Sequence, residues 1–553
     1  MHFLQGKRGA EGRMKGEQTV LRGSLLLIAS AAAAKILGAV FRIPLTAMLG
    51  GTGMGYFSCA YGMFLPVFAL SVTGINTAVS AVTAQALAHG ETAQAGRIRR
   101  QALRMFGFGG FGCSLLLWFA SDPICTYLLR NPQAALAVKC FSPAVWFCCM
   151  NAVLRGMQEG SRRMTPTAVS QTAEGIGRVL CGLFLCRWAM THADRLLPVF
   201  WAGQTREGLG AAAAILGVTL STAIGFLTLC GYARWETADD TAPKATEDRA
   251  VRRQLWQILL PVAAASLVTN LTTLIDLAAG LRLLLRTAVT APARLHLPET
   301  VLREGAAAAA NFAYGAFTGL AMTVFNLVPS ITNMLGKGVF PTFAQNWEMH
   351  NFTEAKANAE TVFHRTAFLA IPAGLGITAL SYPILHALFP SRPTETAAAA
   401  APLMILGIAV IFAAMSYPLF SMMQASGFAG ETVTVMLWGA AVKLLANLLL
   451  IPLWGLCGAA ASTALCYLVI LLLALYQFRR KTGIRLTLGG QMAGILVSGL
   501  ICAAAARAVN QYMHGASEIV LICAVCAGGA AYGLMQLLLY FYRSRKKRFD
   551  PTF

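Results

Sequence analysis

Residues 432–478 read TVTVMLWGAAVKLLANLLLIPLWGLCGAAASTALCYLVILLLALYQF, and the only charge among them is Lys443. The two apolar runs here, 432–452 and 456–478, each exceed the roughly 18 residues with which a helix can cross the ~30 Å hydrocarbon core of a bilayer. Such runs recur from end to end and predict helices near 24–48, 57–87, 105–121, 134–154, 167–189, 209–232, 255–281, 306–333, 366–389, 397–424, 432–452, 456–478, 489–509 and 517–541. The chain is 57% hydrophobic and 12% charged, against about a quarter charged in a soluble domain, so its charges cannot cover a water-facing surface of this size. The alternation of a membrane barrel is missing, and an open backbone cannot persist in lipid, so the spans are helices. The expected fold is an all-α membrane protein of about fourteen transmembrane helices.

The net charge of +21 would suggest nucleic acid if it lay on one soluble face with interleaved aromatic residues. Instead the basic residues gather in short segments on alternate sides of the helices, the pattern of Lys and Arg retained in the cytoplasm. With a cytoplasmic N-terminus, the cytoplasmic clusters are Arg97/Arg99/Arg100/Arg104, Arg155/Arg162/Arg163, Arg249/Arg252/Arg253, Arg479/Arg480/Lys481 and Arg543/Arg545/Lys546/Lys547/Arg548. The loop after the seventh helix, with Arg282, Arg286, Arg294 and Arg303, is the exception. Lys15, Arg22 and Ala29-Ser30-Ala31 imitate a signal peptide, yet the apolar run continues to Leu49 and reads as the first membrane helix.

An internal repeat sets the domain division. Met157-Gln158, a polar turn and a span with Arg178 echo Met423-Gln424, a turn and a span with Lys443; Gly208 to Ala212 echo Gly455 to Ala459. Copies six helices apart run in the same direction, which implies two parallel six-helix lobes plus two C-terminal helices. The expected divisions are a cytoplasmic tail at 1–23, lobes at 24–254 and 255–481, and the added helices with a basic tail at 482–553.

A charge at the centre of a membrane helix costs about 2.5–3.5 kcal/mol even on an insertion scale, so each requires a use or a partner. Lys35 and Arg42 stand two helical turns apart, with Gly38 between them, and form one cationic stripe. Glu174 and Arg178 form an i,i+4 pair in the favourable order. Thr269, Thr272, Thr273 and Asp276 make a polar stripe with a carboxylate, which either binds a coupling monovalent cation or neutralises a basic residue elsewhere. Lys443 has no acid on its own helix. Basic groups facing a membrane cavity suit an anion, and a diphosphate fits best because its oxygens accept charge-assisted bonds. The candidate substrate-binding residues are therefore Lys35, Arg42, Arg178 and Lys443, with Asp276 and Glu174 coupling an ion or neutralising charge.

Other chemistries lack their residues. The cysteines lie almost entirely in apolar spans, where they pack as small apolar side chains. Cys523 and Cys526 have metal-like spacing but no second pair to complete a site. Gly50 to Gly55 is not followed by the Lys of a phosphate loop and reads as a turn between helices. The outer acids Asp122, Asp194, Glu207, Glu299, Glu304 and Glu395 form no paired motif, which argues against a membrane glycan polymerase. A drug or cation antiporter would have only Asp276 and Glu174 as ion sites, while Lys35 and Arg42 would repel its cargo. Nothing in the motifs calls for a cofactor, a metal or a catalytic group.

Lys35-Ile36-Leu37-Gly38-Ala39-Val40-Phe41-Arg42-Ile43-Pro44-Leu45, followed by Gly53-Met54-Gly55, resembles the opening of the stage V sporulation protein B branch of the oligosaccharide flippases. Arg155-Gly156, Gln158, Met164 to Ala168, Ser170-Gln171 and Glu174 to Arg178 resemble the signature of its fourth and fifth helices. Leu274-Ile275-Asp276, Tyr314-Gly315 through Pro329 to Pro341, and Ile371 to Gly374 through Leu388-Phe389 extend the likeness over nearly the whole chain. The resemblance implies a two-lobed exporter that moves an undecaprenyl-diphosphate-linked sugar precursor, for peptidoglycan or spore cortex, across the cytoplasmic membrane. Two departures stand out. Gly74-Ile75-Asn76 and Ala81 to Gln85 carry no charge where the branch commonly has a Lys and a Glu. Arg42 is followed by Ile43 where the lipid II flippase has an acid.

Overall fold

The computed structural model describes the backbone of residues 2–200, 203–233, 245–486, 489–513 and 518–549. Side chains are described from Ser30 onward, with some left out, among them Lys35, Thr269, Lys337 and those of 245–250 and 542–549. No strand occurs among the described residues. Nine described helices are long and apolar enough to cross a membrane, or ten if Val251–Val268 and Leu271–Thr290 count as one interrupted span.

The helices in chain order are α1 (His2–Ala69), α2 (Asn76–Ala88), α3 (Thr92–Pro123), α4 (Ala135–Gly160), α5 (Thr165–Thr191), α6 (Ala193–Phe200), α7 (Arg206–Ala233) and α8 (Ala245–Thr269). There follow α9 (Leu271–Ile275), α10 (Leu281–Thr290), α11 (Glu299–Arg303), α12 (Ala306–Gly315), α13 (Met322–Phe325), α14 (Leu327–Glu348), α15 (Phe352–Ala379) and α16 (Ser381–Leu388). The chain ends with α17 (Pro393–Ala425), α18 (Ala429–Thr482), α19 (Gly490–Tyr512) and α20 (Glu518–Phe549). They form two compact units, one of Met1–Met48 with Cys59–Asn270, the other of Leu49–Ser58 with Leu271–Phe553. The second unit thus takes up the chain at Leu271, and a short piece of α1 counts with it.

In the first unit α5 lies along α7, α7 along α4, and α4 along α3. Phe64 meets Phe141 edge-on at 4.7 Å, and Ile75, Val79, Val82, Val153 and Leu255 form an apolar core near α2. In the second unit α17 is the hub, packed on α14, α15 and α18, while α19 and α20 pair with each other and α19 lies on α15. The outer faces are apolar: Leu116 is 70% exposed, Phe119 75% and Leu449 67%. Such a surface is a liability in water, but in a bilayer lipid tails solvate it as well as a protein core would.

Two backbone breaks interrupt long helices. Gly50 adopts φ 67° within α1, a left-handed conformation that an L side chain resists, so the glycine-rich run makes a one-residue break instead of a separate turn. Beyond it, Gly51 and Gly55 lie one helical turn apart and accept α12 at backbone contact. A Cβ on Gly315 would stand 1.9 Å from the Gly51 carbonyl oxygen. The N–H of Gly51, freed by the break, donates to buried Glu395 Oε1 at 2.9 Å. The second break is Gly455, φ 54°, within α18. At 1.5 Å per residue, the 54 residues of α18 would extend about 81 Å, far beyond one ~30 Å crossing. Its two arms are the expected spans 432–452 and 456–478.

Three sequence expectations require correction. Arg155 was placed in a cytoplasmic cluster, but α4 continues to Gly160 and buries it to 2% exposure. The seventh span does not end at 281. After Asn270 it resumes as α9, a π turn at Asp276–Gly280 and α10, so Arg282 and Arg286 project from a helix whose other face buries Leu281, Leu284 and Ala288. Arg294, in the segment after α10, donates from Nη1 to Pro452 O at 2.8 Å. It thereby satisfies a carbonyl that the α18 break would otherwise leave open. The span expected at 366–389 begins earlier, as α15 from Phe352, and is divided from α16 at Leu380.

Candidate substrate-binding site

In the first unit, Ser170, Glu174 and Arg178 recur every four residues and share one face of α5. Arg155 reaches that face from α4. Its Nη2 donates to Glu174 Oε2 at 2.9 Å and to Ser170 Oγ at 2.8 Å, and Ser170 Oγ donates onward to Gly225 O at 3.1 Å. Arg178 Nη2 donates to the other carboxylate oxygen, Oε1, at 3.0 Å. One buried carboxylate therefore serves two guanidinium groups, and Glu159, one turn beyond Arg155 on α4, lies within electrostatic reach of Arg155. The Nε–H groups of Arg155 and Arg178 are both buried without an acceptor, so the cluster keeps two open donors. A buried donor left open is costly unless an acceptor such as an anion meets it.

Arg42 adds a further cation to this unit. α1 approaches α5 where α5 is bare: Cβ atoms on Gly175 and Gly182 would stand 2.8 Å from Leu37 Cδ1 and 2.6 Å from Phe41 Cε2. Arg42, half-buried, has its Cζ 5.5 Å from the centroid of the Tyr61 ring, a cation–π distance. Tyr61 also lies within electrostatic reach of Arg178. The Lys35 side chain lies outside the described residues.

The second unit brings together Asp276 and Lys443, residues far apart in sequence. Lys443 Nζ is 3.1 Å from Asp276 Oδ1 and donates to Thr463 Oγ1. Asn447, one turn beyond Lys443, donates from Nδ2 to the same Asp276 oxygen at 3.1 Å and accepts from Ser462 Oγ. This cluster pairs one cation with one carboxylate, whereas in the first unit two guanidinium groups share one. Of the expected polar stripe, the Thr269 side chain lies outside the described residues, and Asp276 opens the π turn, with Leu281 N–H donating to its carbonyl.

Sequence reasoning missed Arg155, Tyr61, Asn447, Ser462 and Thr463. Arg155 was hidden by its nearness to Arg162 and Arg163. The signal available for the others was spacing: Asn447 follows Lys443 by one turn and so faces the same side. Among the described residues no group of three or more His, Cys, Asp or Glu forms a metal site.

Comparison with known proteins bears on the fold and the family. Stage V sporulation protein B of Bacillus subtilis (strain 168) is 22% identical over 536 residues, covering 95% of this chain and 96% of that protein. Lipid II flippase MurJ of the same organism is also 22% identical, covering 93% of this chain and 94% of that protein. Among solved structures, lipid II flippase MurJ in an inward closed conformation superposes with a TM-score of 0.67 at 12% identity, over 94% of this chain and 99% of that one. An inward-facing multidrug resistance MATE family transporter superposes at 0.61 and 13% identity, over 81% and 94%. These likenesses establish an all-helical, multi-pass membrane fold. The family described as lipid II flippase MurJ matches residues 129–525, well over half of the chain, and this protein belongs to that family.

Proposed function

We propose that this chain translocates an undecaprenyl-diphosphate-linked sugar precursor, for peptidoglycan, spore cortex or another polysaccharide, across the cytoplasmic membrane by alternating access. The observation that carries this reading is the buried cluster of the first unit, where Arg155 and Arg178 share the Glu174 carboxylate and each keeps an Nε–H without an acceptor, with Arg42 against Tyr61 in the same unit. A diphosphate supplies acceptors for such donors, and planar guanidinium groups match its oxygens. Arg42 and Arg178 are the principal contacts, with Lys35 two turns before Arg42. Arg155 and Glu174 hold Arg178 in place. The prenyl tail stays among membrane lipids. The chain acts as a transporter and not as an enzyme, with both termini in the cytoplasm, because the Lys and Arg clusters alternate along it.

The drug or cation antiporter reading draws support from the MATE likeness, but its ion sites would have to be Glu174 and Asp276. Both carboxylates are already bonded to basic side chains. Asp276 accordingly takes the neutralising role, and Lys443 is left out of the substrate contacts. The test is reconstitution in liposomes with fluorescent polyprenyl-diphosphate sugars. Arg42→Ala should impair transfer to the opposite leaflet without lowering the amount of protein, and Arg42→Lys should retain part of it if charge outweighs bidentate contact. Full transfer by a Lys35→Ala/Arg42→Ala double variant at normal abundance would overturn the assignment.

A further inference from the structure

Lys443 is 1% exposed, and two side-chain oxygens face its ammonium. Asp276 Oδ1 lies at 3.1 Å, and Thr463 Oγ1, whose own hydrogen is committed to Ala459 O at 2.8 Å, presents a lone pair. Asn447 donates to the same Asp276 oxygen and in turn accepts from Ser462. No polar side-chain atom of these five residues is buried without a partner. The backbone is irregular on both sides: Gly455 breaks α18 seven residues before Ser462, and Asp276 opens a π turn. Interrupted helices that offer carboxylate, hydroxyl and carbonyl oxygens are where membrane transporters hold small cations. An alkali-metal ion carries the same charge as an ammonium and takes the same hard oxygen ligands.

We propose that Lys443 is a tethered cation occupying what would otherwise be an alkali-metal site, so that the second unit operates without a coupling sodium ion. Removing the lysine side chain opens the site to Na⁺ or Li⁺, with Asp276, Thr463 and Asn447 as ligands. Only the transport arm of the test rests on the proposed function; the binding arm is independent of it.

The experiment compares thermal unfolding of the purified wild type and Lys443→Ala in sodium, lithium and choline chloride at equal ionic strength. The wild type should melt at one temperature in all three salts. Lys443→Ala should melt lower in choline and gain a saturable rise in Tm with sodium or lithium, on the order of 2 °C or more. That rise should vanish in Lys443→Ala/Asp276→Asn, which lacks the carboxylate. A saturable sodium effect in the wild type, or a folded Lys443→Ala insensitive to both ions, overturns the proposal. If Lys443→Ala does not accumulate, wild-type liposomes decide it: an unchanged flipping rate of a fluorescent polyprenyl-diphosphate sugar when choline replaces sodium supports the proposal, and a fall overturns it. A chain that flips none of the probe in either salt refutes the proposed substrate, and the wild-type melting temperatures then settle the ion question.

Discussion

Arg155 and Arg178 share a carboxylate but should fail differently when removed. Arg155 has a side chain only 3% exposed and makes two hydrogen bonds, to Glu174 and Ser170. Arg155→Gln breaks a buried ion pair and leaves Glu174 Oε2 without its donor, a loss of about 3–5 kcal/mol. Arg178 is 17% exposed and makes one hydrogen bond to the carboxylate. Arg178→Gln leaves the Arg155–Glu174 pair intact, so its effect on stability is that of one charge-assisted bond, about 1.5–3 kcal/mol. Transport should distinguish the two further, because Arg178→Gln also removes the guanidinium group proposed to meet the substrate. Losing one charge-assisted phosphate contact of about 1.5–3 kcal/mol weakens binding about 10- to 150-fold. Thermal unfolding in detergent measures the first quantity, and the concentration dependence of flipping in liposomes the second. An Arg178→Gln protein with wild-type half-saturation, or one as unstable as Arg155→Gln, would refute the division of roles.

Three other outcomes follow from the geometry. Asp276→Asn leaves the Lys443 ammonium buried without a countercharge and should destabilise the protein by about 3–5 kcal/mol, whereas Asp276→Asn/Lys443→Met should recover most of that loss in a double-mutant cycle read by thermal unfolding. Gly315→Ala drives a methyl group into the Gly51 carbonyl and should cost at least the about 1–3 kcal/mol of an overpacked core, with reduced membrane abundance; wild-type stability would contradict the close approach of α1 and α12. A single cysteine in the 479–485 segment, introduced into a cysteine-free background, should resist an impermeant thiol reagent in intact cells, and its labelling would reverse the assigned orientation.

The fold was legible because burial in lipid leaves a one-dimensional signal: runs such as 432–452 and 456–478 must be apolar along their length. The breaks were less legible. Gly50 and Gly455 sit in segments rich in glycine, and only the neighbouring backbones, α12 at Gly51 and the Arg294 segment at Gly455, distinguish them from glycines that stay helical. Within the candidate site, the Glu174–Arg178 pair was readable because its partners lie one turn apart on one helix. Asp276 and Lys443 could each be singled out as a costly charge, yet their pairing depends on tertiary packing that no local spacing encodes. Arg155 was misplaced for a related reason: a basic residue near a helix end has the same sequence signature whether it faces cytoplasm or a buried acid.

The repeat gives this contrast a physical meaning. In the repeat expected from the sequence Arg178 and Lys443 fall in corresponding spans, but their acids come from different places. Glu174 is on the same helix as Arg178, so separating that pair moves only side chains, and Arg155 remains to stabilise the carboxylate. Asp276 comes from a different segment, and its bond to Lys443 ties the π turn beside α9 to α18. Breaking it requires two backbone segments to part with unpaired charges in a low-dielectric interior. The first arrangement can exchange Glu174 for a phosphate oxygen at Arg178 without losing its scaffold, as a transient substrate contact requires. The second is suited to holding helices in register throughout a transport cycle. Placing the acid of the second unit on α18 itself, as Asn447→Asp with Asp276→Asn, puts a carboxylate one turn after Lys443 at nearly unchanged side-chain volume, the i,i+4 spacing found in the first unit. If the inter-segment tie matters and not mere neutrality, this variant should unfold at a lower temperature than the wild type despite an unchanged net charge. Equal stability would show that charge balance alone is what the second unit requires.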